Sequence, residues 1–382
     1  LFFTGMIGLV FMIGIDPQIV IEVLYRSMDK FALIVVLFFV LCGNIMTTGS
    51  IVEKLIKTAN VFVGFLPGGL AMAGVIACGF FGAISGSTVA TVVAIGSFMI
   101  PALIENDYEE KFSVGLMTTA PILGVIVPPS IAMILYAMVS NDQLEALFLT
   151  GFIPGLTIIA AMSLYAYVYC KRQGMTRRPR PSFSEVVAVL KESIWALFLP
   201  VLIFGGIYSG LFTANEAAVV ACFYAFFVET CLHRDMKFRS VKRVIVQSAI
   251  TSSTLLVIVA GASVFGEYLT FEQIPGKIAT VVVENISSPW VFLLSVNVLL
   301  LIIGMFMDII SATLILTPIF LPLLAKFGID TMHFGLLMTI NLGIGYCTPP
   351  LVVSLYISGA TVDRNIVYVS KEVIPFLLIQ VG

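Results

Sequence analysis

Charged residues are absent from four stretches of the chain: Phe31 to Val52, Ala146 to Cys170, Ile194 to Phe212 and Asn285 to Met307. Each is longer than the roughly 18 apolar residues that mark a membrane-spanning helix. Elsewhere the apolar pattern is interrupted in two ways. Residues 72–104 carry Gly82, Ser85, Gly86 and Ser87 near the middle, and residues 290–325 carry Gly304, Asp308 and Ser311. Both are too broken for a plain span and predict re-entrant hairpins. Residues 113–140 and 334–360 are cut instead by Pro128-Pro129 and Pro349-Pro350. Proline has no N–H to donate and leaves carbonyls without intrahelical partners, so these stretches predict two broken helices. Irregular backbone at membrane depth is tolerated only where protein or a water-filled cavity covers it.

The interruptions recur. Pro101 pairs with Pro322, Pro128-Pro129 with Pro349-Pro350, Gly124 with Gly345 and Asp142 with Asp363, all at a constant offset of 221 residues. The chain is therefore an internal duplication. Residues 1–170 form the first copy and 191–382 the second, with a basic loop, 171–190, between them.

Composition and charge give this pattern a direction. Hydrophobic residues make up 59% of the chain and charged residues 11%, against about 25% charged in a soluble domain. Of the 20 Lys and Arg, half lie in two short loops: Lys171, Arg172, Arg177, Arg178 and Arg180, then Arg234, Lys237, Arg239, Lys242 and Arg243. The positive-inside rule makes both loops cytoplasmic. With no soluble domain around them, a nucleic-acid role is set aside. Residues 191–231 then hold two spans turning outside near Gly210. Counting from the loops, 113–140 rises from the cytoplasm and 334–360 descends to it. Equivalent segments run in opposite directions, the inverted-topology plan of many secondary transporters. The first hairpin is entered from the cytoplasm and the second from outside. The six cysteines show no paired spacing and sit mostly in apolar runs, as small core residues. Both ends fall inside apolar runs, and the chain is expected to be truncated at each.

Several residues carry candidate chemistry. The GVIVPPS turn around Gly124 offers backbone oxygens to a hard cation, the alternative being a plain proline kink. Asp308 is a carboxylate at mid-membrane, costing roughly 2.5 to 3.5 kcal/mol. No Lys or Arg lies nearby in sequence, which favours a bound cation or a proton over a solvated hairpin mouth. Ala83-Ile84-Ser85-Gly86 partly resembles the nucleophile motif of intramembrane serine proteases, but a serine nucleophile needs a base. The only histidines, His233 and His333, stand in a basic loop and at a membrane border. Thr213-Ala214-Asn215-Glu216 has the spacing of a capping box.

Taken together, the SGS hairpin, the GVIVPPS turn, the TANEAA segment, the GMFMD segment and the GYCTPP turn make nearly the whole chain resemble the large membrane (M) subunit of the tripartite ATP-independent periplasmic (TRAP) transporters. TANEAA departs from the usual TPTEAA and leaves the capping geometry intact. The resemblance implies an all-α, elevator-type fold and sodium-coupled uptake of a small organic acid across the bacterial inner membrane. It implies a small membrane (Q) subunit and a periplasmic substrate-binding protein as partners, and no enzymatic activity. It also implies one sodium site at Ser85, Gly124, Val127 and Pro129. A second falls at Asp308, Gly345 and Thr348, with Gly304 and Pro350. The substrate is expected between the hairpin tips, at Ser87, Thr88 and Ser311.

Overall fold

The structure is a computed structural model that describes residues 1–175, 179–236, 238–349 and 353–381. Arg177, Arg178, Lys237 and Pro350 lie outside the described residues, as does the side chain of Arg239. Every regular element among those described is helical. Among the described residues, eight helices are long and apolar enough to cross a membrane, or nine if Pro17–Met28 and Leu33–Thr48, bent by 54°, count as one. Helices satisfy their own backbone polar groups, which is what a bilayer demands.

Helix starts are set by side chains the sequence places there. Thr213 and Glu216 form both bonds of a capping box ahead of Ala214–Phe227, and Ser182 and Glu185 form a second ahead of Phe183–Tyr208. Asp330 caps Thr331–Tyr346 through the His333 N–H at 2.8 Å. The expected spans at 146–170 and 194–212 are observed as Leu144–Arg172 and Phe183–Tyr208.

The run from Phe31 to Val52 is not one span. Its helix, Leu33–Thr48, stops where Gly49 adopts an extended conformation, and a separate helix, Ile51–Val63, begins. Hydropathy cannot register the elbow, because the group that makes it is remote in sequence. Glu229, fully buried, accepts the N–H groups of Ser50 at 3.1 Å and Ile51 at 2.9 Å. His233 Nδ1 lies 3.2 Å from Ser50 Oγ. Burial, reinforced by Lys54, pushes the His233 pKa below its ordinary value.

Two groups of elements emerge from the packing. Leu33–Thr48 packs on Ala214–Phe227 and Phe238–Phe271, with Asn44 Nδ2 donating to Ser248 Oγ at 2.9 Å. Phe183–Tyr208 packs on Ile51–Val63, which in turn covers Gly69–Ser85. The second group holds the two interrupted stretches and the two broken helices, and its packing is reciprocal. Ile131–Ser140, after the first break, packs on Ile309–Phe327 of the second stretch. Val353–Thr361, after the second break, packs on Ser97–Glu105 of the first. The ends are tied in the same crossed manner. Thr331 Oγ1 donates to Asp142 Oδ1 at 2.7 Å, and Arg364 Nε donates to Glu110 Oε1 at 2.8 Å. Glu110 and Thr331 are themselves separated by the repeat offset.

Candidate functional site

Each interrupted stretch is a pair of helical arms joined at a short tip. In the first, Gly69–Ser85 ends at Gly86, whose φ of +61° is the left-handed conformation that glycine adopts freely. Ser87 then caps the second arm, Thr88–Glu105, its side chain accepting from Ala90 N–H at 3.4 Å. In the second, Pro289–Phe306 ends at Met307, and Asp308 caps Ile309–Phe327 by accepting the Ser311 N–H at 2.8 Å. Ser87 and Asp308 hold the same place in the duplication. One structural device is thus built with a neutral oxygen in one copy and a carboxylate in the other. The backbone N–H of Ser311 and the positive end of its helix supply part of the compensation that a charge at this depth needs.

Behind each tip lies a broken helix. Leu123–Ile126 ends at Val127, the Pro128–Pro129 bond is cis, and Ser130 caps Ile131–Ser140. Gly82 and Gly124 are packed so closely that a Cβ on Gly82 would meet Gly124 Cα at 2.6 Å; on Gly304 it would meet Gly345 Cα at 2.9 Å. The second close approach sits one residue later along its arm than the offset predicts. Gly86 touches the first break itself: a Cβ there would stand 2.8 Å from the Pro129 carbonyl oxygen.

The expected first-site residues come together around this contact. Ser85 is buried, and its hydroxyl makes only long contacts, 3.4 Å to Thr91 Oγ1 and 3.5 Å from the Ser87 N–H. A relaxed hydrogen bond to such an oxygen is nearer 2.7 to 3.0 Å. Thr91 Oγ1 donates to the Ser87 carbonyl at 2.8 Å, and a Cβ on Gly124 would lie 2.8 Å from both of those oxygens. The oxygens of Ser85, Ser87 and Thr91 therefore cluster over Gly124, with the Pro129 carbonyl at the neighbouring Gly86. This neutral, hard-oxygen donor set is of the kind that suits a hard cation. Val127 contributes the chain turn, its N–H bonded to Leu123 O at 2.9 Å. Thr91 was not singled out from sequence.

The second set is assembled less completely. Gly304 packs on Gly345, while the Thr348 hydroxyl donates to Ile344 O and its N–H to Gly345 O, both at 2.8 Å. Asp308 is exposed and lines a cavity of about 90 Å³ between the tips. Ser87, Thr88, Ile131 and Tyr346 line the same cavity. Ser311 is not among its lining residues; it contributes its backbone N–H to Asp308. The Thr88 hydroxyl is buried without a hydrogen-bond partner. Neither histidine approaches Ser85: His233 sits at Ser50, and His333 is in the first turn of Thr331–Tyr346.

A helical bundle with paired interrupted stretches converging on one small cavity that holds a carboxylate is the architecture of a multi-pass membrane transporter. All 382 residues match the family model for the tripartite ATP-independent periplasmic transporter, DctM component, and the chain belongs to that family. It is 39% identical over 356 residues to a C4-dicarboxylate TRAP transporter large permease protein of Pseudomonas aeruginosa, covering 93% of this chain and 83% of that one. It is 37% identical to an isethionate TRAP transporter permease protein, DctMQ, of Oleidesulfovibrio alaskensis, spanning 57% of that longer protein. A sialic acid TRAP transporter permease protein of Haemophilus influenzae is 32% identical, over 94% of this chain and 58% of its own length. Among solved structures, the YdaH transporter of Alcanivorax borkumensis shares the fold at a TM-score of 0.70 and 14% identity, over 96% of this chain and 86% of that one. Relatives named as transporter permeases argue against the protease reading of Ser85.

Proposed function

We propose that the chain is the large permease of a sodium-coupled secondary transporter that takes up a small organic acid from a periplasmic binding protein, in a bacterial inner membrane, alongside a small membrane subunit. The observation that carries the reading is the convergence of two capped tips, each backed by a broken helix, on one cavity holding Asp308. The interrupted stretches act as re-entrant hairpins, and together with the broken helices they form the moving unit of an elevator. Reciprocal packing favours this, because it couples each hairpin to the other repeat's broken helix and lets the four elements travel as one body. Leu33–Thr48, Phe183–Tyr208, Ala214–Phe227 and Phe238–Phe271 form the fixed frame.

Sodium supplies the coupling by electrostatics. A substrate carboxylate entering the tip cavity meets the carboxylate of Asp308, and two unit charges about 4 Å apart repel by about 4 kcal/mol at an effective dielectric constant near 20. A cation beside Asp308, drawn by Gly345 and Thr348, cancels that repulsion, so substrate and ion bind best together. Ser85, Gly124, Val127 and Pro129, with Thr91, hold the second ion. At about 90 Å³ the cavity is well below the roughly 300 Å³ of the smaller ordinary ligand pockets. Binding therefore requires the tips to part, with Ser87 and Thr88 offering hydroxyls to the carboxylate.

Reconstitution tests the reading. In proteoliposomes holding the permease and small subunit, uptake of a C4-dicarboxylate, isethionate or sialic acid should require both the cognate binding protein and an inward sodium gradient. Uptake undiminished after sodium is replaced by choline or potassium would refute the coupling.

A further inference from the structure

A cavity larger than the one at the tips touches both groups of elements. It measures about 530 Å³ and opens beside the bend between Pro17–Met28 and Leu33–Thr48. Its walls come from the frame, through Leu33, Leu37, Leu255 and Leu256, and from the first broken helix, through Ile131 and Leu135. Away from the mouth the walls are apolar except for the Ser252 hydroxyl, so a small carboxylate finds no cationic partner within. The mouth is different, because Asp29 and Lys30 stand there side by side and exposed, with no ion pair to either among the described residues.

Depth identifies what such a shape meets. Lys30 stands three residues before the helix Leu33–Thr48, whose 16 residues rise about 24 Å at 1.5 Å per residue. That is close to the roughly 30 Å of a bilayer's hydrocarbon core. Since Thr48 adjoins the cytoplasmic basic loop through Ser50 and His233, Lys30 stands at the opposite, outer boundary. An apolar cleft running inward from that boundary is filled by what surrounds it.

We propose that this cavity is a binding site for one zwitterionic phospholipid of the outer leaflet, with a phosphoethanolamine headgroup at its mouth and an acyl chain between the frame and Ile131 and Leu135. Adjacent and unpaired charges of both signs carry the choice of headgroup. Lys30 pairs with the phosphate and Asp29 accepts from the primary ammonium. A purely anionic headgroup satisfies Lys30 and is repelled by Asp29, and a quaternary choline has no N–H to donate.

The test is native mass spectrometry of the delipidated full-length chain, titrated with phosphatidylethanolamine, phosphatidylcholine or phosphatidylglycerol of identical acyl chains. One phosphatidylethanolamine should be retained with affinity roughly tenfold above the other two, equivalent to about 1.4 kcal/mol. Leu135→Trp and Leu256→Trp, which fill the cavity, should remove it. Lys30→Ala and Asp29→Asn alter only exposed side chains, and each should bring the affinity down to that of phosphatidylglycerol. They decide the matter if the tryptophan variants fail to fold. Equal retention of all three lipids, or retention unchanged in the charge variants, would overturn the proposal and leave general bilayer solvation only.

Discussion

Replacing Gly124 by alanine tests the ion ligands proposed at the first break, and replacing Gly345, its equivalent in the duplication, tests the packing at the second. A Cβ on Gly124 lies 2.8 Å from Thr91 Oγ1 and from the Ser87 carbonyl oxygen, the atoms proposed to hold a cation. The Thr91 side chain can rotate away, but the Ser87 carbonyl is backbone and the tip must shift as well, and either movement dismantles the oxygen cluster. A Cβ on Gly345 lies 2.6 Å from the Leu301 carbonyl oxygen and 2.8 Å from Gly304 Cα, both backbone atoms of a packed arm. Nothing there yields without the helices moving apart. Overpacking of this kind costs about 1 to 3 kcal/mol, less up to about 1 kcal/mol returned by alanine's better helix propensity. Gly345→Ala and Gly124→Ala should therefore each lower stability by about 1 to 2 kcal/mol, and the response to sodium is read against that shared loss. The assay is the thermal midpoint of purified protein against sodium concentration, since a ligand of the folded state stabilises by RT ln(1 + [L]/Kd). Gly124→Ala should shift the half-saturating sodium at least roughly tenfold, a loss of about 1.4 kcal/mol. A folded Gly124→Ala protein with the parent sodium response would refute the first site.

Three further predictions follow from other contacts. Asp308→Asn keeps the helix cap and removes the charge, so the folded protein should persist while uptake loses its steep sodium dependence; an unchanged sodium dependence counts against the proposed coupling. Glu229→Gln leaves one of the Ser50 and Ile51 N–H groups facing an amide donor. As a hydrogen bond to a charged group is worth about 1.5 to 3 kcal/mol, denaturation midpoints should show a loss of that order, and no loss would mean the elbow holds without its clamp. In a background lacking the exposed Cys231, Gly174→Cys should react with an impermeant maleimide only from the cytoplasm and Gly210→Cys only from the periplasm; reversed labelling would invert the topology.

The arms, tips and breaks were legible because glycine, serine and paired prolines stand out in an otherwise apolar chain, and their effect on backbone is local. Observed arms begin and end within a few residues of the expected 72–104 and 290–325. What stayed hidden depends on residues far apart. The elbow at Ser50 is made by Glu229, 179 positions away. Thr91 looks like any helical threonine bonding its carbonyl one turn back, and only the folded tip shows that its oxygen also faces Ser85. Ser311 lay near the right place, but its contribution is a backbone N–H directed at Asp308.

The cap position exposes the limit of reasoning by repeat. Offset alone makes Ser87 and Asp308 equivalent, and structurally they are, each capping the second arm of its interrupted stretch. Electrostatically they differ by a full charge within one small cavity. A symmetric pair of carboxylates would hold cations so firmly that an anionic substrate added little to their binding. A symmetric pair of serines would admit the anion without requiring an ion at all. Under the proposed coupling, one carboxylate and one hydroxyl in the same cavity lie between these cases: the cation would be needed to admit the substrate, and the substrate to complete the neutralisation. On that proposal, gene duplication supplied two equal backbone devices, and their divergence at a single capping residue would make coupling between ion and acid a property of the cavity.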